Sequence, residues 1–172
     1  ETRIREDVLR LLRFFRFYAH YGRPPPDPAG LDACKRLAHL LPTLSGERLA
    51  QETLRLLEAP EPASVLAQMQ EIGVLQAYLP EARRIEVLGA LVTIEGISEG
   101  ADAIRRLAAL IAGGAAAALA VAERLRLSVV QRDRLALLAA PPVTLSLDLS
   151  AKARRIALNR LEDAPRRDAV LL

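Results

Sequence analysis

The hydrophobic pattern at the start of the chain predicts a helix with one charged stripe. Between Arg5 and Tyr21, apolar residues fill most positions around a helical wheel, which is typical of a helix buried on nearly all sides. Glu6, Arg10 and Arg13 are spaced i, i+4 and i+7 and share a narrow face. Asp7 lies one step around that face, within i+3 reach of Arg10. Because burying unpaired charges is costly, we expect the stripe to be paired or used in recognition.

The rest of the chain also follows the helical period, interrupted by prolines and glycines. Further helices are predicted over residues 31–41, 46–58, 63–72, 83–95, 101–112, 115–126, 129–139 and 151–161, with a last one after residue 163. Ser45, Ser128 and Ser150 stand where N-caps are needed, and Gly73 is placed to end a helix in the left-handed conformation. An alternating β-branched run occurs only at residues 143–149, so the sequence predicts an all-α fold.

Composition adds a mildly basic, arginine-rich character. The chain has 172 residues and a formal net charge of +3, and it is long enough for one or two helical units. Basic residues recur in pairs that either follow an RNA backbone or form solvated helix faces; for each pair taken singly, the second interpretation is favoured. These pairs are Arg83–Arg84, Arg105–Arg106, Arg154–Arg155 with Lys152, and Arg166–Arg167.

Cysteine usage and hydropathy bear on the compartment. Cys34 is the only cysteine, which excludes an internal disulfide and is compatible with a reducing cytoplasm. The uncharged run from Leu107 to Ala122 is shorter than a bilayer span and is broken by Gly113–Gly114. We therefore expect two helices that meet at a turn, a cytoplasmic location and no membrane partner.

The charged stripe has a chemistry that suits nucleobase recognition. On the Watson–Crick edge, C and A offer an amino donor beside a ring-nitrogen acceptor, whereas U and G offer a carbonyl acceptor beside an N–H donor. Asp7 can only accept hydrogen bonds and Arg10 can only donate them, so together they fit C and A and reject U and G. This is the selectivity needed to build a C-C-A sequence.

Three motifs resemble one family of enzymes. Glu6-Asp7-x-x-Arg10 resembles the nucleotide-selecting E-D-x-x-R motif of the class II tRNA nucleotidyltransferases, the CCA-adding enzymes and their bacterial poly(A) polymerase relatives. The sequence L-S-G-E-R-L-A-Q-E at residues 44–52 is similar to the family's S-x-E-R-I-x-x-E helix. Residues 72–80, which contain G-V-L and end in L-P, are similar to its G-V-L-x-x-x-L-P segment. Their order and spacing agree over residues 1–80.

The resemblance implies an all-α architecture in two parts. Residues 1–80 would form a helical neck that carries the nucleotide-selecting motif, and residues 81–172 would form a body and tail that bind tRNA. In the full-length enzyme, this C-terminal portion would select bases and hold tRNA while CCA is added to the tRNA 3′ end from CTP and ATP.

The resemblance also implies roles for particular side chains. Asp7 and Arg10 would contact the incoming base, Glu6 would orient Arg10, and Arg13 would contact either the base or the nucleotide's sugar and phosphates. A second group is assigned to support of the pocket, by stabilising its own helix and pairing back to the first helix. This group consists of Glu47, Arg48 and Glu52.

The chain departs from the family in its metal chemistry. The family carries an Asp-x-Asp pair in an N-terminal catalytic head that binds Mg²⁺, and no Asp-x-Asp occurs here. We therefore expect this segment to belong to a longer protein whose head supplies the metal and the catalytic carboxylates, and to be inactive alone. No metal site is expected within it, since His20 and His39 lack neighbouring ligands at metal-binding spacing.

Two alternatives stay open. A poly(A) polymerase of the same family would use ATP alone, and one pocket that admits both C and A does not distinguish it from a CCA-adding enzyme. A non-catalytic helical RNA-binding or scaffold module would use the charged stripe as a set of structural salt bridges. Phe17, Tyr18 and Tyr21 can stack on a base, but their spacing on a buried helix favours a place in the core.

Overall fold

A computed structural model describes residue 4, residues 6–98 and residues 101–140. Within that part of the chain the fold is all-α, as predicted, and the β-structure is limited to an isolated bridge between Ala82 and Ile111. Several sequence predictions lie outside the described residues. They are the Ser150 cap, the β-branched run at 143–149, the helices after residue 150, and the basic pairs Arg154–Arg155 and Arg166–Arg167.

The helices follow one another with short connections. They are α1 (Leu9–Tyr21), α2 (Pro28–Leu37), a 3₁₀ helix (Ala38–Thr43), α3 (Gly46–Leu57), α4 (Pro62–Glu71), α5 (Val74–Tyr78), α6 (Ile85–Ser98), α7 (Ala103–Leu110), α8 (Gly114–Arg124) and α9 (Val129–Ala139).

Helix ends were predicted well where a cap residue marks them. The Ser45 hydroxyl accepts a hydrogen bond from the Arg48 N–H at 3.4 Å, and Ser128 forms a reciprocal capping box with Gln131. Gly73 has a φ of 80°, the left-handed conformation expected of it. The turn at Gly113–Gly114 also forms as predicted, between α7 and α8.

The second helix was predicted to cover residues 31–41, but α2 begins earlier and is shorter. Asp27 caps α2 by accepting a hydrogen bond from the Gly30 N–H, and Pro28 suits its first position because it lacks an N–H. Beyond Leu37 the chain tightens into the 3₁₀ helix, which contains Pro42.

The first helix differs from its prediction in its start. An uninterrupted helix from Arg5 was predicted, but α1 begins at Leu9 and Asp7 precedes it. The Asp7 carboxylate accepts a hydrogen bond from the Leu9 N–H at 3.3 Å, and its carbonyl accepts one from the Arg10 N–H at 3.0 Å. A short acidic side chain that bonds to the backbone in this way favours a helix start over a helix interior.

The burial of α1 also differs from its prediction. Leu9, Leu11, Leu12 and Phe15 are buried on one side of the helix, whereas Phe17 and Tyr21 are exposed on another. The prediction of a helix buried on nearly all sides was therefore wrong. The apolar side packs against α3 and α4, and no described helix covers the opposite side.

A single cluster of buried apolar side chains joins the described helices. Helix α4 packs on α6, α3 packs on α7, and α7 and α8 both pack on α9. The cluster continues across residue 80, and fully buried leucines on both sides of that position belong to it: Leu57, Leu66, Leu75, Leu79, Leu88, Leu107 and Leu125. The division into a neck and a body stays a prediction.

An ionic group lies inside this core. Glu95 of α6 accepts hydrogen bonds from Arg105 Nε at 2.9 Å and from Arg106 Nε at 2.5 Å, and all three side chains are buried. Arg106 Nη1 also donates to the carbonyls of Leu57 and Ala59, at 2.6 and 2.8 Å. The prediction that Arg105–Arg106 is a solvated pair was therefore wrong, because a carboxylate and the carbonyls at the end of α3 satisfy it.

The remaining predictions concern the exposed arginines, the cysteine and the membrane. Arg83 and Arg84 are exposed, as predicted, but they precede α6 and do not lie on a helix face. Cys34 is fully buried on α2, and this burial raises the pKa of its thiol to about 12. None of the described helices is long and apolar enough to cross a membrane.

Candidate nucleotide site

The Asp7 carboxylate lies at the amino end of α1 and is held by hydrogen bonds to one of its two oxygens. Arg48 Nη2 of α3 donates to Asp7 Oδ1 at 2.9 Å, and the Leu9 N–H donates to the same oxygen. The Asp7 side chain is 31% exposed. Among the described residues, no hydrogen-bond donor contacts Asp7 Oδ2. This arrangement leaves one carboxylate oxygen available to accept a hydrogen bond from a ligand.

Arg10 lies on the exposed side of the first turn of α1. Its Nη1 lies 3.4 Å from Glu6 Oε2, and its side chain is 45% exposed. The orienting role of Glu6 stays a prediction. The sequence placed Asp7 beside Arg10, whereas the salt bridge of Asp7 is with Arg48. The reason is that Asp7 lies outside α1, where its carboxylate faces α3.

Glu52 of α3 pairs with the first helix as predicted, but it holds two arginines. Its buried carboxylate accepts a hydrogen bond from Arg13 Nε at 3.2 Å through one oxygen and from Arg16 Nε at 2.6 Å through the other. Among the described residues, the terminal nitrogens of both guanidinium groups have no hydrogen-bond partner. Two cations therefore share one carboxylate and keep unused donors; the Arg13 side chain is 45% exposed and that of Arg16 is 15% exposed.

Glu47 does not share this arrangement. It is exposed in the first turn of α3, and no described residue of α1 forms an ion pair with it. Hydrogen bonds from its own backbone N–H and from the Ser45 hydroxyl, together with the charge of Arg126, lower the pKa of its carboxyl. Glu47 thus stabilises its own helix, whereas Arg48 and Glu52 reach the α1 segment.

The contacts between α1 and α3 follow the same order along both helices. Asp7 meets Arg48, Arg16 meets Glu52, and His20 Nε2 lies 2.8 Å from the carbonyl oxygen of Arg55. The two helices therefore run in parallel along a polar seam. His39 likewise contacts a backbone carbonyl, and the described residues contain no group of three potential metal ligands.

The aromatic residues of α1 divide between core and surface. Tyr18 is half-buried against the core, as predicted, whereas Phe17 is 51% exposed and Tyr21 is 78% exposed. The ring centroids of Phe17 and Tyr21 are 6.3 Å apart, and the Arg16 guanidinium carbon lies 4.2 Å from the Phe17 centroid. The prediction of a core position was wrong for Phe17 and Tyr21.

A family comparison covers the segment that supports this site. Residues 26–85 match the family described as "Probable RNA and SrmB- binding site of polymerase A". Over this segment the chain is similar to the family of poly(A) polymerases and CCA-adding enzymes. The family segment includes α3, with Arg48 and Glu52, whereas Asp7 and Arg10 precede it.

Individual relatives in the family agree with this assignment. The chain is 37% identical over 76 residues to a mitochondrial CCA tRNA nucleotidyltransferase 1 from Danio rerio, which covers 43% of this chain and 18% of that protein. It is 38% identical over 85 residues to a poly(A) polymerase I from Salmonella typhi, a match that covers 49% of this chain and 18% of that protein. It is 39% identical over 83 residues to a CCA-adding enzyme from Geobacillus stearothermophilus, a match that covers 46% of this chain and 19% of that protein. The matches span just under a fifth of each of these family members.

Proposed function

We propose that this chain selects nucleotides and binds RNA in a tRNA nucleotidyltransferase that adds CCA to tRNA 3′ ends from CTP and ATP. The observation that supports this most directly is that Asp7 and Arg10 lie within one turn of each other at the start of α1. Both are accessible, and each contacts an ion of opposite charge, Arg48 for Asp7 and Glu6 for Arg10.

Base selection follows from the hydrogen-bonding capacity of these two groups. Asp7 Oδ2 would accept a hydrogen bond from the exocyclic amino group of C or A, and Arg10 would donate one to the adjacent ring nitrogen. U or G would place a carbonyl against Asp7 and an N–H against Arg10, so both protein groups would lose their partner. Because Arg48 already occupies Oδ1, the carboxylate has little freedom to turn and accommodate the wrong base.

The chemical step would take place on another part of the same protein. A catalytic head with paired carboxylates would bind Mg²⁺ and activate the RNA 3′-hydroxyl for attack on the nucleotide α-phosphate. Helices α1 and α3 would position the base, while the later helices of the chain would hold tRNA by contacts to its backbone. We place this enzyme in the cytoplasm, and we expect the segment alone to be inactive.

The first prediction concerns Asp7 in the full-length enzyme. Asp7→Ala removes the acceptor, and Asp7→Asn keeps the size but replaces one acceptor oxygen with a donor. We expect either change to reduce the preference for CTP and ATP over UTP and GTP by about tenfold to a hundredfold, the effect of one hydrogen bond to a charged group. The measurement is kcat/KM for each of the four nucleotides.

The control for this prediction is Asp32→Ala. Asp32 forms an exposed i, i+4 pair with Arg36 on α2, which resembles the Glu6–Arg10 pair but lies away from the site. Nucleotide choice should be unchanged in this variant. If Asp7→Asn lowers thermal stability and leaves nucleotide choice intact, the stripe is a structural salt-bridge set and the scaffold alternative is correct.

A poly(A) polymerase is the second candidate, because one of the relatives has that name. The same Asp7–Arg10 pair would then serve ATP alone. Product analysis distinguishes the two activities. Incubation of the intact enzyme with tRNA and all four nucleotides should yield a single C-C-A end for the first candidate and a run of adenylates for the second.

A further inference from the structure

The exposed side of α1 continues beyond the nucleotide-selecting residues as a stripe of arginine and aromatic side chains. Arg10, Arg13, Phe17 and Tyr21 are spaced i, i+3, i+7 and i+11, so they follow one face of the helix. We infer that the part of this stripe beyond Arg10, with Arg16 beside it, binds single-stranded RNA by stacking bases on the two rings and contacting phosphates with Arg13 and Arg16. This inference rests on the proposed function and extends it to a surface for the RNA end.

The aromatic pair has the properties of a stacking platform. Phe17 and Tyr21 are both large and mostly exposed, whereas Phe15, two residues before Phe17, is fully buried. The two rings lie one turn apart and are tilted by 33° relative to each other. Exposed rings at this spacing offer flat surfaces to successive bases, and stacking on such rings is tolerant of sequence.

The arginines have the properties of a preorganised phosphate site. Arg13 and Arg16 are held through their Nε atoms by the buried Glu52 carboxylate, so their side chains are fixed before any ligand binds. Within the described part of the chain, their terminal nitrogens have no other hydrogen-bond partner. A guanidinium with free terminal nitrogens presents the donor geometry that fits a phosphate.

The charge of the stripe favours RNA over a protein surface as the occupant. Two cations lie near Phe17, with Arg16 over its ring and Arg13 one turn before it, and Glu52 offsets only one of these two charges. An apolar protein partner would have to bury this excess positive charge, whereas an RNA strand neutralises it. The helix rise places Phe17 about 10 Å along the axis from Arg10, so a strand that ends near the selected base can extend over the rings.

The test uses the full-length protein and a single-stranded RNA of about 12 nucleotides with 2-aminopurine near its 3′ end. Tyr21→Ala and Phe17→Ala should each weaken binding by about tenfold and reduce the fluorescence quenching that accompanies stacking. Arg13→Gln should lower the slope of log K against log salt concentration by about 0.7, the value for one phosphate contact on a single strand. Fluorescence anisotropy gives the affinities.

Matched controls lie away from this stripe. Val130→Ala removes an apolar side chain on α9 that is as exposed as Tyr21, and Arg36→Gln removes an exposed arginine on α2 that is paired with Asp32. Both should bind the RNA as the unmodified protein does, within about twofold. Because Tyr21 is mostly exposed, Tyr21→Ala should retain its circular dichroism melting curve even if Phe17→Ala does not.

Two results would overturn the inference. One is unchanged affinity and unchanged quenching in a folded Tyr21→Ala variant. The other is a change in sedimentation or in protein association with RNA affinity intact, which would assign the face to a protein partner. If the ring variants weaken RNA binding while Asp7→Asn leaves nucleotide choice unchanged, this inference holds and the proposed function fails. If the ring variants bind RNA normally while Asp7→Asn alters nucleotide choice, the proposed function holds and this inference fails.

Discussion

At the scale of single residues, the same arrangement of charges occurs twice with different outcomes. Glu52 holds Arg13 and Arg16 through their Nε atoms, and Glu95 holds Arg105 and Arg106 in the same way. In the second group Arg106 also bonds to backbone carbonyls inside the core. In the first group Arg13 is half exposed, and its unused donors face solvent. The first group is therefore suited to ligand binding and the second to holding helices together.

The ion pair of Glu81 gives a prediction about how stability depends on pH. Its two carboxylate oxygens accept hydrogen bonds from Arg124 at 2.6 and 2.7 Å, and these bonds lower the pKa of Glu81 from its ordinary value of 4.5. A carboxyl whose pKa is lower in the folded state stabilises the protein above its unfolded pKa and loses that contribution as pH falls through the folded pKa.

Glu81→Gln should therefore lower the free energy of unfolding at neutral pH, and the difference from the unmodified protein should disappear in acid. Urea unfolding between neutral pH and about pH 3 measures this difference. Glu123→Gln, an exposed neighbour of Arg124 on α8, is the control and should show a smaller effect. A stability difference for Glu81→Gln that persists unchanged in acid would contradict the assignment of this pair.

At the scale of helices, the sequence predicts those elements whose ends are marked by local chemistry. Helices α3, α8 and α9 match their predictions closely because serine or glycine caps and a clear apolar period define them. The short α5 and the 3₁₀ helix were not predicted, since five or six residues are too few to show a period.

The candidate site shows the same division. The acidic and basic residues of the E-D-x-x-R motif could be recognised from spacing and hydrogen-bonding chemistry. The partners Arg48 for Asp7 and Glu52 for Arg16 lie 41 and 36 positions away, and only the packing of α1 on α3 brings them together. The exposure of Phe17 was missed because apolar residues occupy most positions around α1 in the sequence. Its i+4 spacing from Arg13, which places it on the charged face, was nevertheless visible in the sequence.

The contact between α3 and α8 gives a prediction about packing. A Cβ added to Gly46 would lie 2.3 Å from the carbonyl oxygen of Arg124, a backbone atom that cannot move aside alone. Gly46→Ala should therefore lower the free energy of unfolding by about 1–3 kcal/mol, the cost of overpacking. Chemical denaturation measures the change.

Gly89→Ala on α6 is the matched control, because the nearest atom to its added Cβ would be 3.8 Å away. This variant should be neutral or more stable by up to about 1 kcal/mol, since alanine is favoured over glycine in a helix interior. Equal stability of the two variants would show that α3 and α8 do not approach as closely as described.

At the scale of the whole molecule, α3 links the candidate nucleotide site to the later helices. Arg48 and Glu52 hold the α1 segment, and the far end of α3 is held by Arg106 of α7 through the Leu57 carbonyl. Asp102 extends this chain of contacts by capping α7 and pairing with Arg134 of α9. One helix thus spans the region between the proposed base-selecting groups and the proposed RNA-binding body.

Removal of Arg106 should weaken this connection throughout the molecule. Arg106→Met leaves one oxygen of Glu95 and the carbonyls of Leu57 and Ala59 without their donor, and we expect a loss of about 3–5 kcal/mol in the free energy of unfolding. Arg106→Lys should retain only part of this stability, because lysine cannot reproduce the guanidinium geometry. The exposed Arg84→Met is the control, and a loss no larger than in that control would show that the buried group is dispensable.

The burial of the single thiol on α2 has a practical consequence. Because Cys34 is fully enclosed and its thiolate is strongly disfavoured at neutral pH, a thiol-specific reagent can modify the protein only when α2 separates from the core. The rate of modification therefore measures how often α2 separates from the core. A bound nucleotide or RNA that slows this rate would show that binding at one end of the protein also stabilises α2.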